Sequence, residues 1–151
     1  MTSDEHATPA LLMAKPTWLI TQLSAQAHRL LGSHLATVGA RGYHFRLLAA
    51  LAESGPASQA SLGRRTEMDR SDVTAAVGEL AADGLVERTA DADDRRRNVV
   101  AITDAGRARL RRLDEVLNGV QDELLAPLSP DERATLVGLL ERLTRSHASR
   151  T

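Results

Sequence analysis

The sequence predicts a mostly α-helical protein with one small β-hairpin, an α+β fold. Apolar residues recur at helical spacing along most of the chain. Two short β-like runs, VERT (86–89) and NVVAI (98–102), flank a strongly charged tip. A chain of 151 residues is long enough for one hydrophobic core and too short for two. We therefore expect one domain over residues 16–151, preceded by a flexible tail over residues 1–15.

Composition excludes several classes of protein. The chain contains no cysteine, so it has no disulfides, thiolate nucleophile or thiolate metal site. No apolar run approaches the length of a membrane span, and the N-terminus lacks the features of a signal peptide, so a cytoplasmic protein is expected. Because the net charge is only -1, any binding of nucleic acid must depend on local clusters of basic residues.

Three helices are predicted before the most informative segment. The first covers residues 18–38 and ends at Gly39 and Gly42. The second lies in YHFRLLAALAESG and stops at Gly55-Pro56. The third, SQASLGRRT (58–66), begins with Ser58 as its N-cap and has Leu62 as its apolar anchor.

The fourth predicted helix, MDRSDVTAAVGELAADG (68–84), has two contrasting faces. Asp69 is a suitable N-cap, and Gly84 can adopt the left-handed conformation that ends a helix. The helical period groups three apolar residues on one side: Val73, Val77 and Leu80. It groups four small residues on the other side: Ser71, Thr74, Ala75 and Gly78. A small-residue face indicates that something large approaches this backbone closely.

The hairpin tip, DADDRRRN (91–98), concentrates opposite charges. A narrow minor groove of DNA attracts inserted arginine, so a tip that carries Arg95, Arg96 and Arg97 is suited to enter it. We expect the tip carboxylates to hold the guanidinium groups in bidentate pairs and to keep the tip ordered without DNA; these acids are Asp91, Asp93 and Asp94. Taken alone, the same residues describe a solvated turn.

Two long helices are predicted to close the chain. Thr103 and Asp104 open a helix whose leucines recur at spacings of three and four, as in coiled-coil packing. The segment SPDE (129–132) is a capping box with proline at the first helical position. These helices offer more apolar surface than the central unit can cover, so we expect segments 16–38 and 103–146 to pair with a second copy of the chain.

Two short helices followed by a hairpin are the parts of a winged helix-turn-helix, here over residues 42–102, in which the second helix enters the major groove of DNA. The small-residue face of this second helix lets it enter the major groove deeply, and the Thr74 hydroxyl and methyl groups can reach base edges. Arg70 can reach guanine or phosphate. Asp72 can accept a hydrogen bond from the N4 amino group of cytosine, or it can orient a neighbouring arginine.

In its predicted wing and recognition helix the sequence resembles the MarR family of transcriptional regulators. DDRRRNVVAITDAG (93–106) is similar to the wing signature of that family, with Ile102 where leucine is usual. The matching positions are Asp94, Arg96, Thr103 and Gly106. GELAADGLVER also resembles the family's recognition helix and its exit into the wing, and the likeness extends over residues 18–143.

The resemblance implies an obligate homodimer on a pseudo-palindromic operator of double-stranded DNA. Such regulators usually repress genes and release DNA when a small, often phenolic or anionic, molecule binds; no cofactor is expected. The implied DNA contacts are Ser58, Gln59, Arg70, Ser71, Asp72, Thr74, Ala75, Arg95, Arg96 and Arg97, with Asp94 orienting the wing.

The resemblance also implies an effector cleft between the dimerisation helices and the DNA-binding lobe. Candidate lining residues are Trp18, His28, His44, Arg46, Asp69 and Arg107. One combination of residues is similar to the urate-responsive branch of the family: Trp18, an acid at the recognition helix (Asp69 or Asp72), and arginines at the wing and in the helix that follows it. A lone tryptophan on a first helix also fits packing in a dimer core.

The sequence supports other functions less well than DNA binding. No nucleophile elbow, zinc-protease helix, phosphate loop or dinucleotide-binding turn occurs, so an enzyme is not expected. His28 and His34 are six residues apart and fall on different helix faces, and no histidine pair has i, i+4 spacing, so no metal ligand is assigned. The alternatives left open are a winged-helix module for protein partners and a metal-responsive regulator.

Overall fold

The structure is a computed structural model that describes residues 7–94 and 96–148. The described helices are α1 (Ala10–Met13), α2 (Pro16–Ala36), α3 (Gly42–Ser54), α4 (Gln59–Thr66), α5 (Arg70–Ala82), α6 (Asp104–Leu124) and α7 (Pro130–Ala148). The described strands are β1 (Ala57–Ser58), β2 (Val86–Ala90) and β3 (Asn98–Ile102). The predicted mostly helical fold with a small hairpin is confirmed. The short helix α1 falls inside the segment that was predicted as a tail.

The sheet has one strand more than the hairpin that the sequence predicts. Strands β2 and β3 pair antiparallel from Val86 opposite Ile102 to Ala90 opposite Asn98. The two-residue strand β1 pairs antiparallel with the other edge of β3, with Ala57 opposite Val100. Two residues are too few to show a period of two, so β1 leaves no sequence signal. It joins the base of the wing, which is the hairpin of residues 86–102, to the start of α4.

The core lies where α3, α4 and α5 meet the base of the wing and α6. The apolar face predicted for the fourth helix is buried, as the exposed fraction of Val73 and Val77 is 0%. They pack in one cluster with core leucines and a valine of the neighbouring elements, Leu47, Leu48, Leu51, Leu62, Leu113 and Val100. Burial of one such side chain contributes about 1.5–3 kcal/mol, so this cluster fixes the orientation of α5.

Most predicted helix ends are confirmed. The Ser58 hydroxyl accepts from the backbone N–H of Ser61, and the Thr103 hydroxyl accepts from that of Gly106. Gly84 has a φ of 72°, in the left-handed region expected for it. Two details differ from the predictions. Asp69 occupies the N-cap position of α5 without a side-chain hydrogen bond, and Gly42 begins α3 instead of lying between helices.

The capping box of the last helix forms as predicted. The backbone N–H of Ser129 donates to Glu132 Oε1 at 2.9 Å, and the backbone N–H of Glu132 donates to Ser129 Oγ at 3.2 Å. Hydrogen bonds with the backbone and the side chain of Ser129, the backbone bond most, lower the pKa of the Glu132 carboxyl below its usual range. The Ser129–Glu132 box therefore marks the start of α7.

The terminal helices leave apolar surface exposed. Helix α2 packs along α6, and the Arg109 guanidinium donates to the Val38 carbonyl just beyond the end of α2. Helix α7 buries no residue within the protomer. Large exposed apolar side chains include Ile20, Leu23, Val137, Leu139, Leu140 and Leu143. No helix in the described part of the chain is long and apolar enough to cross a membrane.

Candidate DNA-binding site

Helix α5 presents its small-residue face to the outside. Ser71, Thr74 and Ala75 are exposed, and Gly78 is half-buried. The opposite face is locked into the core, so the helix cannot turn without exposing its valines. The structure thus places the small-residue face, which is predicted to read DNA and is called the reading face below, on the surface, with Arg70 exposed and Asp72 half-buried at its N-terminal end.

A hydrogen bond ties α4 to this face. The Thr74 hydroxyl lies 3.1 Å from Gln59 Oε1 and 2.9 Å from the Arg70 carbonyl oxygen, and it can donate its proton to one of them. Ser58 is half-buried, and its hydroxyl is engaged in capping α4. The predicted contacts at the start of α4 therefore lie directly beside the reading face of α5.

The acids at the wing tip do something other than the expected pairing with arginine. Asp91 Oδ1 accepts from the backbone N–H of Asp93, and Asp94 Oδ1 accepts from that of Arg96, both at 3.0 Å. A short aspartate side chain reaches the backbone two residues ahead more easily than a distant guanidinium group. No ion pair joins the tip acids to Arg96 or Arg97 in the described part of the chain.

The wing turn is closed by its own backbone. The N–H of Asp91 donates to the Arg97 carbonyl at 2.8 Å, and the N–H of Arg97 donates to the Asp94 carbonyl at 2.9 Å. Asp94 therefore orients the turn through backbone contacts, and the side chains of Arg96 and Arg97 are exposed. Arg95, the third predicted tip arginine, lies outside the described residues.

Arg88 is a candidate that the sequence interpretation did not single out. It is exposed on β2 opposite Val100. A Cβ atom built on Gly78 would lie 3.7 Å from Arg88 Nη2, so this guanidinium group sits beside the small face of α5. The available signal was the absence of a side chain at Gly78 together with the arginine in VERT, but only the packing of β2 on α5 brings them together.

The candidate effector residues do not form one cluster within the protomer. His44 bridges two elements, since Nε2 lies 2.7 Å from Glu79 Oε2 and Nδ1 accepts from the backbone N–H of Arg41 at 3.2 Å. His28 is exposed and bonds the Ser24 carbonyl on its own helix. Of the other four, Trp18 is half-buried, while Arg46, Asp69 and Arg107 are exposed on three different helical regions.

A groove does lie between the DNA-binding lobe, residues 42–102, and helix α6. This α3–α6 groove has a volume of 270 Å³. Its lining is Phe45, Ala49, Ala52, Glu53, Leu110, Arg111 and Asp114, which includes none of the six predicted effector residues. Phe45, Ala49 and Ala52 recur at helical spacing, a pattern that equally describes core packing, so the sequence did not distinguish them.

Another histidine, His34, pairs with a carboxylate on a neighbouring helix. His34 Nε2 lies 2.8 Å from Glu123 Oε2 and links α2 to α6. Among the described residues no group of three or more His, Cys, Asp or Glu side chains is arranged to hold a metal ion. His34 therefore connects two helices of the protomer.

Comparison with known proteins identifies the family. The family model described as MarR family matches residues 39–97. The chain is 31% identical over 102 residues to the HTH-type transcriptional repressor NicR of Pseudomonas putida, a match that covers 68% of this chain and 65% of that protein. The chain spans slightly under two thirds of the length of the first curated relatives that it matches.

Solved structures agree over almost the full chain. A probable transcriptional regulator from Pseudomonas aeruginosa is 35% identical, with a TM-score of 0.76 over 87% of this chain and 98% of that one. The PcaV transcriptional regulator from Streptomyces coelicolor, in complex with its natural ligand, is 26% identical with a TM-score of 0.75 over 93% of this chain and 99% of that one. With an exposed small-residue face on α5, a wing beside it and these matches, the chain belongs to the MarR family of transcriptional regulators, not to a family of enzymes.

Proposed function

We propose that the protein is a sequence-specific DNA-binding repressor that acts as a homodimer on a pseudo-palindromic operator. The observation that carries this proposal is the outward small-residue face of α5 with the Arg88 guanidinium beside it. A helix without long side chains on its outer face can enter the major groove until its backbone is close to the bases. The similarity to the repressor NicR supports repression as the direction of control.

The reading helix divides its contacts between bases and phosphates. Thr74 and Ala75 meet base edges and thymine methyl groups, while Arg70 reaches guanine or phosphate beside Ser71 and Asp72. Ser58 and Gln59 contact phosphate at the start of α4, and a hydrogen bond donated by the Thr74 hydroxyl to Gln59 Oε1 aligns these two sets. Arg88 adds a cation at the other end of the small face.

The wing supplies the second groove contact. Arg96 and Arg97 are exposed on a turn held by backbone hydrogen bonds, so their guanidinium groups need not break ion pairs before reaching DNA. A narrow minor groove attracts such groups through its concentrated negative potential. Arg95 belongs to the same proposal by sequence position.

A second copy of the chain fits the uncovered surface. The exposed apolar residues of α7 and of the first half of α2 form a surface that would face solvent in an isolated protomer. Of the side chains on this surface, Leu23 is 56% exposed and Leu143 is 51% exposed. Two-fold pairing through these helices would present two reading helices to one duplex, about 34–36 Å apart or a multiple of that.

Release by a small molecule completes the proposal. The structural relative PcaV binds a natural ligand, which supports a ligand-responsive function here. The α3–α6 groove lies between the DNA-binding lobe and a dimerisation helix, so a small aromatic or anionic molecule bound there would alter their relative position. Trp18, His28, His44, Arg46, Asp69 and Arg107 remain candidate contacts in a cleft that a second protomer would complete.

Salt dependence tests DNA binding against the alternative of a protein partner. Operator fragments selected from random DNA by the purified protein should bind with a log K that falls by about 0.9 per phosphate neutralised as log salt rises. Because a dimer would bring two arginine-bearing surfaces to the DNA, we expect the operator affinity to fall steeply as the salt concentration rises. Failure to select any fragment, or an affinity that is flat between low and high salt, would favour a winged-helix module for protein partners.

Replacement of Arg96 by alanine should weaken operator binding while the dimer stays intact. The change removes an exposed wing guanidinium whose backbone neighbour Asp94 still closes the turn, so the loss should be about 1–3 kcal/mol. Gel-shift titration measures the affinity, and sedimentation measures the mass. Arg29→Ala on α2 removes the same charge away from the wing and serves as the control. Equal affinities for the two variants would remove the wing from the mechanism.

A further inference from the structure

We propose that the protein has a second ligand site, a groove between α3 and the end of α4 that binds a small zwitterion with an apolar body, such as an aromatic amino acid. This α3–α4 groove has a volume of 460 Å³, within the range of about 300–1,000 Å³ that small-molecule sites occupy. Its effect on DNA binding rests on the proposed repressor function, but the binding itself does not.

The groove carries equal numbers of positive and negative side chains, and one of them, Arg46, is also a candidate effector contact. Two guanidinium groups, Arg46 and Arg65, and two carboxylates, Glu53 and Glu67, line it. None of the four has a hydrogen bond or an ion pair with another described residue. A ligand that carries one carboxylate and one ammonium group can pair with both signs, whereas a ligand with a single charge would leave the side chains of like sign without a partner.

The remaining lining accounts for the apolar body of the ligand. Phe45 and two alanines of α3 form one wall, and Thr66 lies at the end of α4. The Thr66 hydroxyl donates to the Leu62 carbonyl at 2.7 Å, so its oxygen remains free to accept. An aromatic ring against Phe45, with one arginine and one glutamate on each of the two flanking segments, matches this distribution of groups.

Glu67 gives an independent indication that this groove is a site. It is the sole non-glycine residue with positive φ in the described part of the chain, at φ 53° and ψ 44°. The left-handed conformation that ends a helix is normally taken by glycine, because a Cβ atom is strained there. The chain instead holds a carboxylate in this strained position at the rim of the groove, where the charge can contact a ligand.

Helix α4 connects the groove to the DNA-binding face. Arg65 and Thr66 lie in its last turn, and Gln59 is its first residue, whose Oε1 can accept from the Thr74 hydroxyl of α5. An eight-residue helix is about 12 Å long and moves as a unit. A ligand that draws the end of α4 toward α3 would therefore shift Gln59 relative to Thr74 and change operator affinity.

Calorimetric titration of the full-length protein tests the ligand class directly. The probes are L-phenylalanine, 3-phenylpropanoate, which lacks the ammonium group, and 2-phenylethylamine, which lacks the carboxylate. We expect L-phenylalanine to bind at least tenfold more tightly than either analogue. Absence of binding by L-phenylalanine, or an analogue that binds as tightly, would overturn the proposal. The titration contains no DNA, so its result is independent of whether the protein binds an operator.

Substitutions at the strained residue locate the site. Glu67→Gly should raise the melting temperature and weaken L-phenylalanine binding at least tenfold, because strain and carboxylate are removed together. Glu67→Gln keeps the side-chain size and should weaken binding similarly without raising the melting temperature. Arg111→Ala, in the α3–α6 groove, should leave L-phenylalanine affinity unchanged. Wild-type affinity in both Glu67 variants, or loss in Arg111→Ala alone, would overturn this location.

Discussion

Replacement of Ala75 by glutamate should abolish specific operator binding. Ala75 is exposed in the middle of the small face of α5, between Ser71 and Gly78. A glutamate there would hold the helix away from the base edges and place a negative charge among phosphates. Like charges brought together at an interface cost several kcal/mol, so we expect a loss of about 3 kcal/mol or more, which is over 100-fold in affinity.

The Ala75→Glu result needs a check on folding and on total charge. The substituted residue points away from the core, so circular dichroism and the melting temperature should remain close to wild type. Ala36→Glu, at the exposed end of α2, adds the same charge away from the reading face and should retain operator affinity. If Ala75→Glu kept specific binding in the gel-shift assay, α5 would not be the reading helix.

Replacement of Gly106 by alanine should strongly destabilise the fold. Gly106 is buried in the first turn of α6, against the start of the wing. A Cβ atom built there would lie 2.0 Å from the Leu85 carbonyl oxygen and 2.7 Å from Ile102 Cγ1. The first clash is with backbone, and that same oxygen accepts from the N–H of Thr103 at 3.1 Å, so the strand entry and the helix must separate. We expect a loss of about 3 kcal/mol or more.

Chemical denaturation followed by circular dichroism measures the effect of Gly106→Ala on the free energy of unfolding. Gly32→Ala is the matched control, because nothing lies within 4 Å of a Cβ built on Gly32 inside α2. A glycine-to-alanine change in an open helix interior should stabilise by about 0.5–1 kcal/mol. The two variants should therefore shift stability in opposite directions, and a stable Gly106→Ala protein would show that α6 does not pack on the wing base as described.

The candidate site could be predicted from sequence where its features are local. The outward face of α5 follows from the helical period, and the Ser58, Thr103 and Ser129 caps follow from residue chemistry beside each helix start. Proximity in sequence predicts pairing among the wing charges, but neither Arg96 nor Arg97 forms an ion pair with the tip acids in the described part of the chain. Aspartate in a tight turn has a nearer partner in the backbone than in an arginine side chain.

By itself the sequence determined the order of α2–α7 and the two strands of the wing, the buried side of α5 and the family, because residue spacing sets which side chains share a face. Tertiary structure alone decided that β1 joins the sheet, that Arg88 lies beside Gly78, and which residues line the two grooves along α3. These contacts join residues distant in the chain, and no local period encodes the angle and distance at which two elements pack.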